Sequence, residues 1–154
     1  RVLIACGMGG DVIDQAKSFV NWLAREKDIP FDTVYVEPCI IPNDPPKWMV
    51  PASFTKSMYD SIFAAVIRPG IGTITDSLCA GARIFTFFEK GNLEMQVNSK
   101  IIDDAGVGCG GFEFKDAWLN ACNYCKSGNM QINHEKNINK LDFDGVEKAA
   151  QLLL

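Results

Sequence analysis

The stretch Ile62-Phe63-Ala64-Ala65-Val66-Ile67-Arg68-Pro69-Gly70-Ile71-Gly72-Thr73-Ile74-Thr75-Asp76-Ser77-Leu78-Cys79-Ala80-Gly81 decides how this chain is read. Its opening is an unbroken apolar run of strand length, as expected of a strand buried on both faces. Arg68-Pro69-Gly70 stops the run, since proline cannot donate to a ladder and glycine lets the backbone turn. Ile74, Leu78 and Cys79 then sit on a helix that Gly81 ends. A buried strand passed through a glycine-rich turn into a helix is half of a parallel crossover.

The same order recurs on both sides. Upstream, Arg1–Cys6 is a short apolar run ended by Gly7-Met8-Gly9-Gly10. Val12, Ile13, Ala16, Phe19, Val20, Leu23 and Ala24 follow at helical spacing, with Asp11 placed to cap the start. Ile29-Pro30 closes that helix and Thr33–Val36 is the next strand. Pro38, Pro42, Pro45, Pro46 and Pro51 forbid a helix, leaving a loop with one short strand near Trp48-Met49-Val50. A short helix is expected over Phe54–Ser61. Downstream come a strand over Arg83–Phe88, a helix over Leu93–Ala105, a short strand at Val107–Cys109 and a helix over Lys115–Lys126. The polar stretch Ser127–Lys140 reads as a surface loop, and Phe143–Leu154 as a closing amphipathic helix. The expected architecture is α/β: a Rossmann-like, doubly wound parallel sheet of about six strands.

Composition narrows the function classes. A chain of 154 residues is expected to form a single domain. With 15 Lys+Arg against 19 Asp+Glu the net charge is −4, which disfavours a nonspecific nucleic-acid or anionic-membrane binder. No apolar run is long enough to span a bilayer, and the N-terminus lacks the pattern of a signal peptide. A cytoplasmic location is expected. The absence of an initiating Met leaves open a trimmed chain or a piece of a longer protein. Cys6, Cys39, Cys79, Cys109, Cys122 and Cys125 are scattered through apolar contexts and read as reduced thiols. Cys122-Asn-Tyr-Cys125 has redox or half-zinc spacing but no second pair, so packing on a helix face is expected. Trp22, Trp48 and Trp118 read as packing residues, with Trp48 alone expected to reach the surface. His134, in the polar stretch, has no expected catalytic role.

In a doubly wound sheet, ligands bind where strand ends pass into helices. Two glycine-rich turns occupy such places, Gly7-Met8-Gly9-Gly10 and Gly70-Ile71-Gly72-Thr73. Each opens a helix, offering free N–H groups and a positive dipole end to an anion. Glycine permits close approach of a phosphate to the backbone, and Thr73 adds a hydroxyl donor. Neither turn carries a GxGxxG or GxxxxGK[ST] fingerprint.

From Ala65 to Gly81 the chain resembles the donor-binding signature of GT-B glycosyltransferases, a strand followed by His-Gly-Gly-x-Gly-Thr, two spacers, Glu-Ala-Leu and a later Gly. Ile84–Phe88, Glu94, Asn98-Ser99 and Ala105-Gly106-Val107-Gly108 continue the family order across residues 62–110. The chain is similar to the C-terminal half of the UDP-glycosyltransferases and of the bacterial N-acetylglucosaminyltransferase that makes the lipid-linked peptidoglycan precursor.

The resemblance implies a nucleotide-sugar-binding domain that moves a sugar from a nucleotide diphosphate sugar, a UDP-sugar by family habit, to an acceptor with inversion. It implies Gly70, Gly72 and Thr73 at the diphosphate, Asp76 at the ribose hydroxyls, Gly7, Met8 and Gly9 near the phosphates or sugar, Phe54 near the nucleobase and Glu94 at the sugar hydroxyls. No cofactor and no metal are expected, since Arg68 and helix dipoles would neutralise the phosphates. The family's acceptor site and general base belong to an N-terminal domain. The implied partner is therefore such a domain or a separate subunit, as in the split eukaryotic enzyme acting on dolichol diphosphate. No residue here stands out as a catalytic base.

Several positions depart from the family. Arg68-Pro69 replaces His-Gly, Asp76 replaces Glu, and Glu94-Met95 replaces the acidic-Gln pair. Arg68 either neutralises a diphosphate bidentately or pairs with a surface acid. Asp76 and Glu94 are alternatively plain surface carboxylates. Other readings are a nucleotide-sugar epimerase, a noncatalytic module with a degenerate pocket, and a sugar-phosphotransfer domain phosphorylated on Cys6, for which the Thr-Ser after the cysteine is missing.

Overall fold

The computed structural model describes residues 1–7 and 12–144. Within them the strands are β1 (Val2–Ala5), β2 (Val34–Val36), β3 (Met49–Pro51), β4 (Ala64–Ile67), β5 (Arg83–Phe87) and β6 (Gly108–Gly111). The helices are α1 (Val12–Leu23), α2 (Lys56–Tyr59), α3 (Ile71–Cys79), α4 (Leu93–Asp104), α5 (Phe114–Lys126) and α6 (Gly128–Ile138). The strands form one sheet in the order β3-β2-β1-β4-β5-β6. Every pairing is parallel. This is the expected Rossmann-like architecture, and its order reverses between β1 and β4.

Continuous apolar strands suit this sheet because both faces are covered. All four residues of β1 and of β4 are buried. Val2, Ile4, Ala64, Val66, Phe85 and Phe87 point to the layer of α1 and α5, where Phe19, Trp118 and Tyr124 pack. Leu3, Ala65, Ile67 and Ile84 point to the opposite layer, with Met58, Tyr59 and Ile102. Pro51 is accommodated because β3 is an edge strand. Gly110 lets α4 sit close to the sheet: a Cβ there would collide with Thr86 and Ser99, whose hydroxyls share a buried 2.6 Å hydrogen bond.

Three expectations are corrected. Ser127–Lys140 is not a surface loop but contains α6, capped by the Ser127 hydroxyl, which accepts from the Met130 N–H. Its docking is polar, which is why no apolar stripe announced it. Asn137 Nδ2 donates to the Gly106 carbonyl at 3.2 Å, and Gln131 Nε2 to the Tyr124 and Cys125 carbonyls. His134, only 2% exposed, meets the Gly81 carbonyl through Nε2 at 2.9 Å. Second, the helix expected over Phe54–Ser61 shrinks to the single turn Lys56–Tyr59. Third, Trp48 is half-buried against the core rather than a surface residue. The Asp11 cap and most of the expected Phe143–Leu154 helix lie outside the described residues. No helix among the described residues is long and apolar enough to cross a membrane.

Candidate functional site at the carboxyl edge of the sheet

The order reversal between β1 and β4 opens a crevice where their carboxyl ends diverge, the place such folds use for ligands. The described residues that follow those strands there are Cys6 and Gly7 after β1 and residues 68–70 after β4. The turn after β4 leaves the start of α3 without a side-chain cap. Gly70 is the N-cap of α3, and the helix's first turn carries no acid. Among the described residues, the leading N–H groups of α3 therefore have neither an intrahelical acceptor nor a side-chain cap.

Glycine at 70 and 72 is not demanded by this backbone. Gly70 has an ordinary extended φ of −76°. A Cβ at either position would meet nothing within 4 Å. The small residues leave open space in front of the free N–H groups. Asn98 of α4 fixes the turn's orientation, its Nδ2 donating to the Pro69 carbonyl at 2.9 Å.

Along α3 from this end, Thr73 and Asp76 lie three and four residues from Gly70 and Gly72, and so share a face with them. Asp76 stands about 6 Å further along the axis than Gly72, at 1.5 Å rise per residue. There it lines a hollow of about 260 Å³ with Phe54, Lys56, Tyr59, Asp60, Cys79 and Ala80. Two expected site residues, Asp76 and Phe54, thus meet in one pocket.

Phe54 is held at φ +51°, the only described non-glycine residue with a positive φ, and its ring is 41% exposed at the pocket rim. Its centroid lies 6.5 Å from that of Tyr59. The Tyr59 phenol is pushed up to about 12, by burial first and then by the neighbouring Asp76 carboxylate. It stays a neutral hydroxyl donor beside an acceptor. Tyr59 escaped the sequence reading because it lies in a segment taken only for a short packing helix.

The turn after β1 is different. Gly7 has φ +66°, so here the backbone does require glycine. Its N–H and that of Cys6 both donate to one oxygen of Glu37, at 2.9 and 2.7 Å. An anion reaching the Gly7 amide has to displace that carboxylate. Met8 and Gly9 lie outside the described residues.

Arg68, at the end of β4, is already engaged. Its Nη2 and Nε donate to the two oxygens of Glu89 at 2.6 and 3.2 Å, and Asn92 Nδ2 adds a third bond to that carboxylate. The Arg68 hydrogen bonds hold the Glu89 carboxyl down at about 2. Of the two sequence alternatives for Arg68, the structure displays the acid pair. Glu94 is exposed in the first turn of α4, where Arg68 feels its charge.

All six cysteines are free thiols. Cys122 and Cys125 pack on the core side of α5; Cys125 donates to the Pro30 carbonyl, and burial raises the Cys122 thiol to about 11. The Cys122 thiol is therefore not an activated nucleophile. Cys6 is fully buried, with its thiol pushed far up by burial and then by Glu37, the opposite of what a phosphorylated cysteine requires.

No protein-family profile matches the chain, and no curated protein matches it by sequence. Solved structures do match. The glycotransferase of kitacinnamycin superposes with a TM-score of 0.69 at 12% identity, over 99% of this chain and 42% of that one. The calicheamicin glycosyltransferase CalG4 gives 0.63 at 12% identity, over 90% of this chain and 38% of that one. The Streptomyces sp. SF2575 glycosyltransferase SsfS6, complexed with thymidine diphosphate, gives 0.59 at 14% identity, over 91% and 37%. The fold is therefore the Rossmann-like domain that forms the C-terminal half of the GT-B architecture. The chain spans about two fifths of the length of these glycosyltransferases.

Proposed function

We propose that this chain is the donor-binding domain of a glycosyltransferase, taking the nucleoside diphosphate of a nucleotide sugar along α3. One observation carries the reading: an uncapped, glycine-lined helix start shares a face with Asp76, which opens into the pocket of Phe54 and Tyr59. The spacing suits the ligand. Phosphates meet the N–H groups at Gly70 and Gly72 and the Thr73 hydroxyl; Asp76 accepts the ribose hydroxyls; Phe54 and Tyr59 wall the base. Glu94 and the turn that Gly7 begins, with Met8 and Gly9, are assigned to the sugar.

Catalysis on this reading is electrostatic. A leaving diphosphate gains charge as the anomeric bond breaks, and fixed N–H dipoles stabilise it without reorganising. The transfer is inverting and draws on no metal at the phosphates. The general base and the acceptor come from a further domain or subunit, consistent with neighbours more than twice this length. UDP is the first nucleotide to test, and the thymidine diphosphate held by SsfS6 is the natural comparison. A cytoplasmic setting fits the six unpaired thiols.

A noncatalytic module with a degenerate pocket is the second reading, and the neutralisation of Arg68 by Glu89 is what favours it. Calorimetric titration with UDP, thymidine diphosphate and other nucleoside diphosphates tests the site. Saturable binding of one of them, lost in a Thr73→Ala/Asp76→Ala variant with unchanged circular dichroism, is the expected result. A folded sample that binds none would remove the case for an autonomous donor site.

A further inference from the structure

The ends of β1 and β2 bring together three groups that the donor site leaves idle. Cys6 follows β1, while Glu37 and Cys39 follow β2. One ligand atom from each, two thiol sulfurs and a carboxylate oxygen, all lie within 4.8 Å of one another. We propose that Cys6, Glu37 and Cys39 bind a soft divalent cation of the zinc type, which ties the carboxyl ends of β1 and β2 together. The donor proposal is not needed for this, and the cation has no part in sugar transfer.

Local geometry makes the cluster more than a chance approach. The Glu37 N–H donates to the Ile4 carbonyl, continuing the β1–β2 ladder one step past β2. The chain then turns at once, with the Ile40 N–H donating to the Glu37 carbonyl at 3.0 Å. That turn brings Cys39 back toward Cys6 and Glu37. The Cys6 and Gly7 amides both grip the same Glu37 oxygen, which fixes the carboxylate. Such amide contacts are the outer support that metal-binding carboxylates generally have.

The donor set suits zinc. Two thiolates and a carboxylate are borderline-soft ligands, with Zn–S near 2.3 Å and Zn–O near 2.0–2.2 Å. Tetrahedral bonds of that length set neighbouring ligand atoms about 3.5–3.8 Å apart. The 4.8 Å limit thus asks for a contraction of about 1.3 Å at most, and Cys39 is exposed. Burial first, and then the Glu37 carboxylate, pushes both thiols up. Binding forms two Zn–S bonds and one Zn–O bond and releases two thiol protons to solvent, and a water completes the fourth position. The resulting cluster carries one net negative charge, and Arg68 lies near enough to Cys6 to feel it.

The test uses the full chain, reduced and stripped with a chelator, then titrated with Zn²⁺ and Co²⁺. One equivalent of Zn²⁺ is expected to bind at micromolar or lower concentration and raise Tm. Co²⁺ is expected to give an intense tetrahedral spectrum with a thiolate charge-transfer band. Cys39→Ser removes that band and the Tm shift while circular dichroism stays unchanged. Glu37→Gln weakens binding by roughly ten- to a hundred-fold. Cys122→Ser/Cys125→Ser leaves the signal intact. Four results would each overturn the proposal: binding at millimolar concentration only, binding that survives Cys39→Ser, binding lost with the α5 cysteines, or a Cys6–Cys39 disulfide whose reduction yields no metal affinity.

Discussion

The turns after β1 and β4 look alike in sequence, both glycine-rich and both leading to helices, yet the molecule uses their glycines for different reasons. Gly7 is glycine because φ is +66°, and the amides it presents are satisfied by Glu37. Gly70 and Gly72 adopt conformations that any residue tolerates, and the amides beside them have no cap. The Cys6 and Gly7 amides are taken by the protein itself. The start of α3 has no side-chain cap. A glycine that the backbone requires therefore says little about a ligand, whereas a glycine that the backbone does not require says more.

That contrast breaks most sharply at Gly72. Replacing it with Asp puts a carboxylate at the start of α3, where the dipole favours it by about 0.3–1 kcal/mol. Stability in urea should hold or rise, while affinity for the nucleoside diphosphate of the proposed donor site falls on the order of a hundred-fold, a loss of about 2.7 kcal/mol. Calorimetry and denaturation on one sample separate the two effects. If affinity is unchanged, the open turn is not where the phosphates sit.

Gly7→Ala should act in the opposite way, as a stability change. Forcing a Cβ into the left-handed region costs about 1–2 kcal/mol, read as a lower urea midpoint at constant m. A neutral result would mean that this turn relaxes more easily than its hydrogen bonds suggest. Glu37→Gln keeps an acceptor for the Cys6 and Gly7 amides but removes the charge; a loss of about 1 kcal/mol is expected from weakened charge-assisted bonds. The same substitution should leave the α3 end untouched.

The smallest effect belongs to the Arg68–Glu89 pair that braces the open turn. Glu89 has its folded-state carboxyl lowered from 4.5 to about 2, so its contribution is fully present above pH 4.5 and drains away as pH falls toward 2. Comparing urea midpoints across that window in the native chain and in Glu89→Gln should show a pH slope that is shallower in the variant. Identical slopes would mean that the pair adds nothing to stability.

The strands, the parallel order and five of the helices were legible because apolar runs and helical stripes are local signals that tertiary burial simply rewards. Ala64–Ile67 can hardly be anything but a buried strand. α6 was hidden because its docking uses Gln131, His134 and Asn137, polar side chains that read as loop until carbonyls of α5, Gly81 and Gly106 are seen to receive them. Gly72 and Thr73 were singled out by the glycine-rich turn that opens α3, and Asp76 by the resemblance to the donor-binding signature. Tyr59 became part of the pocket only when α2 and α3 were seen to face each other.

What the sequence determined by itself is the architecture and the position of its two glycine turns, since both follow from hydrophobic period and backbone freedom within a few residues. What only the tertiary structure decided is which turn is open. Glu37 lies 30 residues from Gly7, and Glu89 lies 21 residues from Arg68. Whether a charge faces a ligand or another residue depends on contacts across strands, and no local pattern records them.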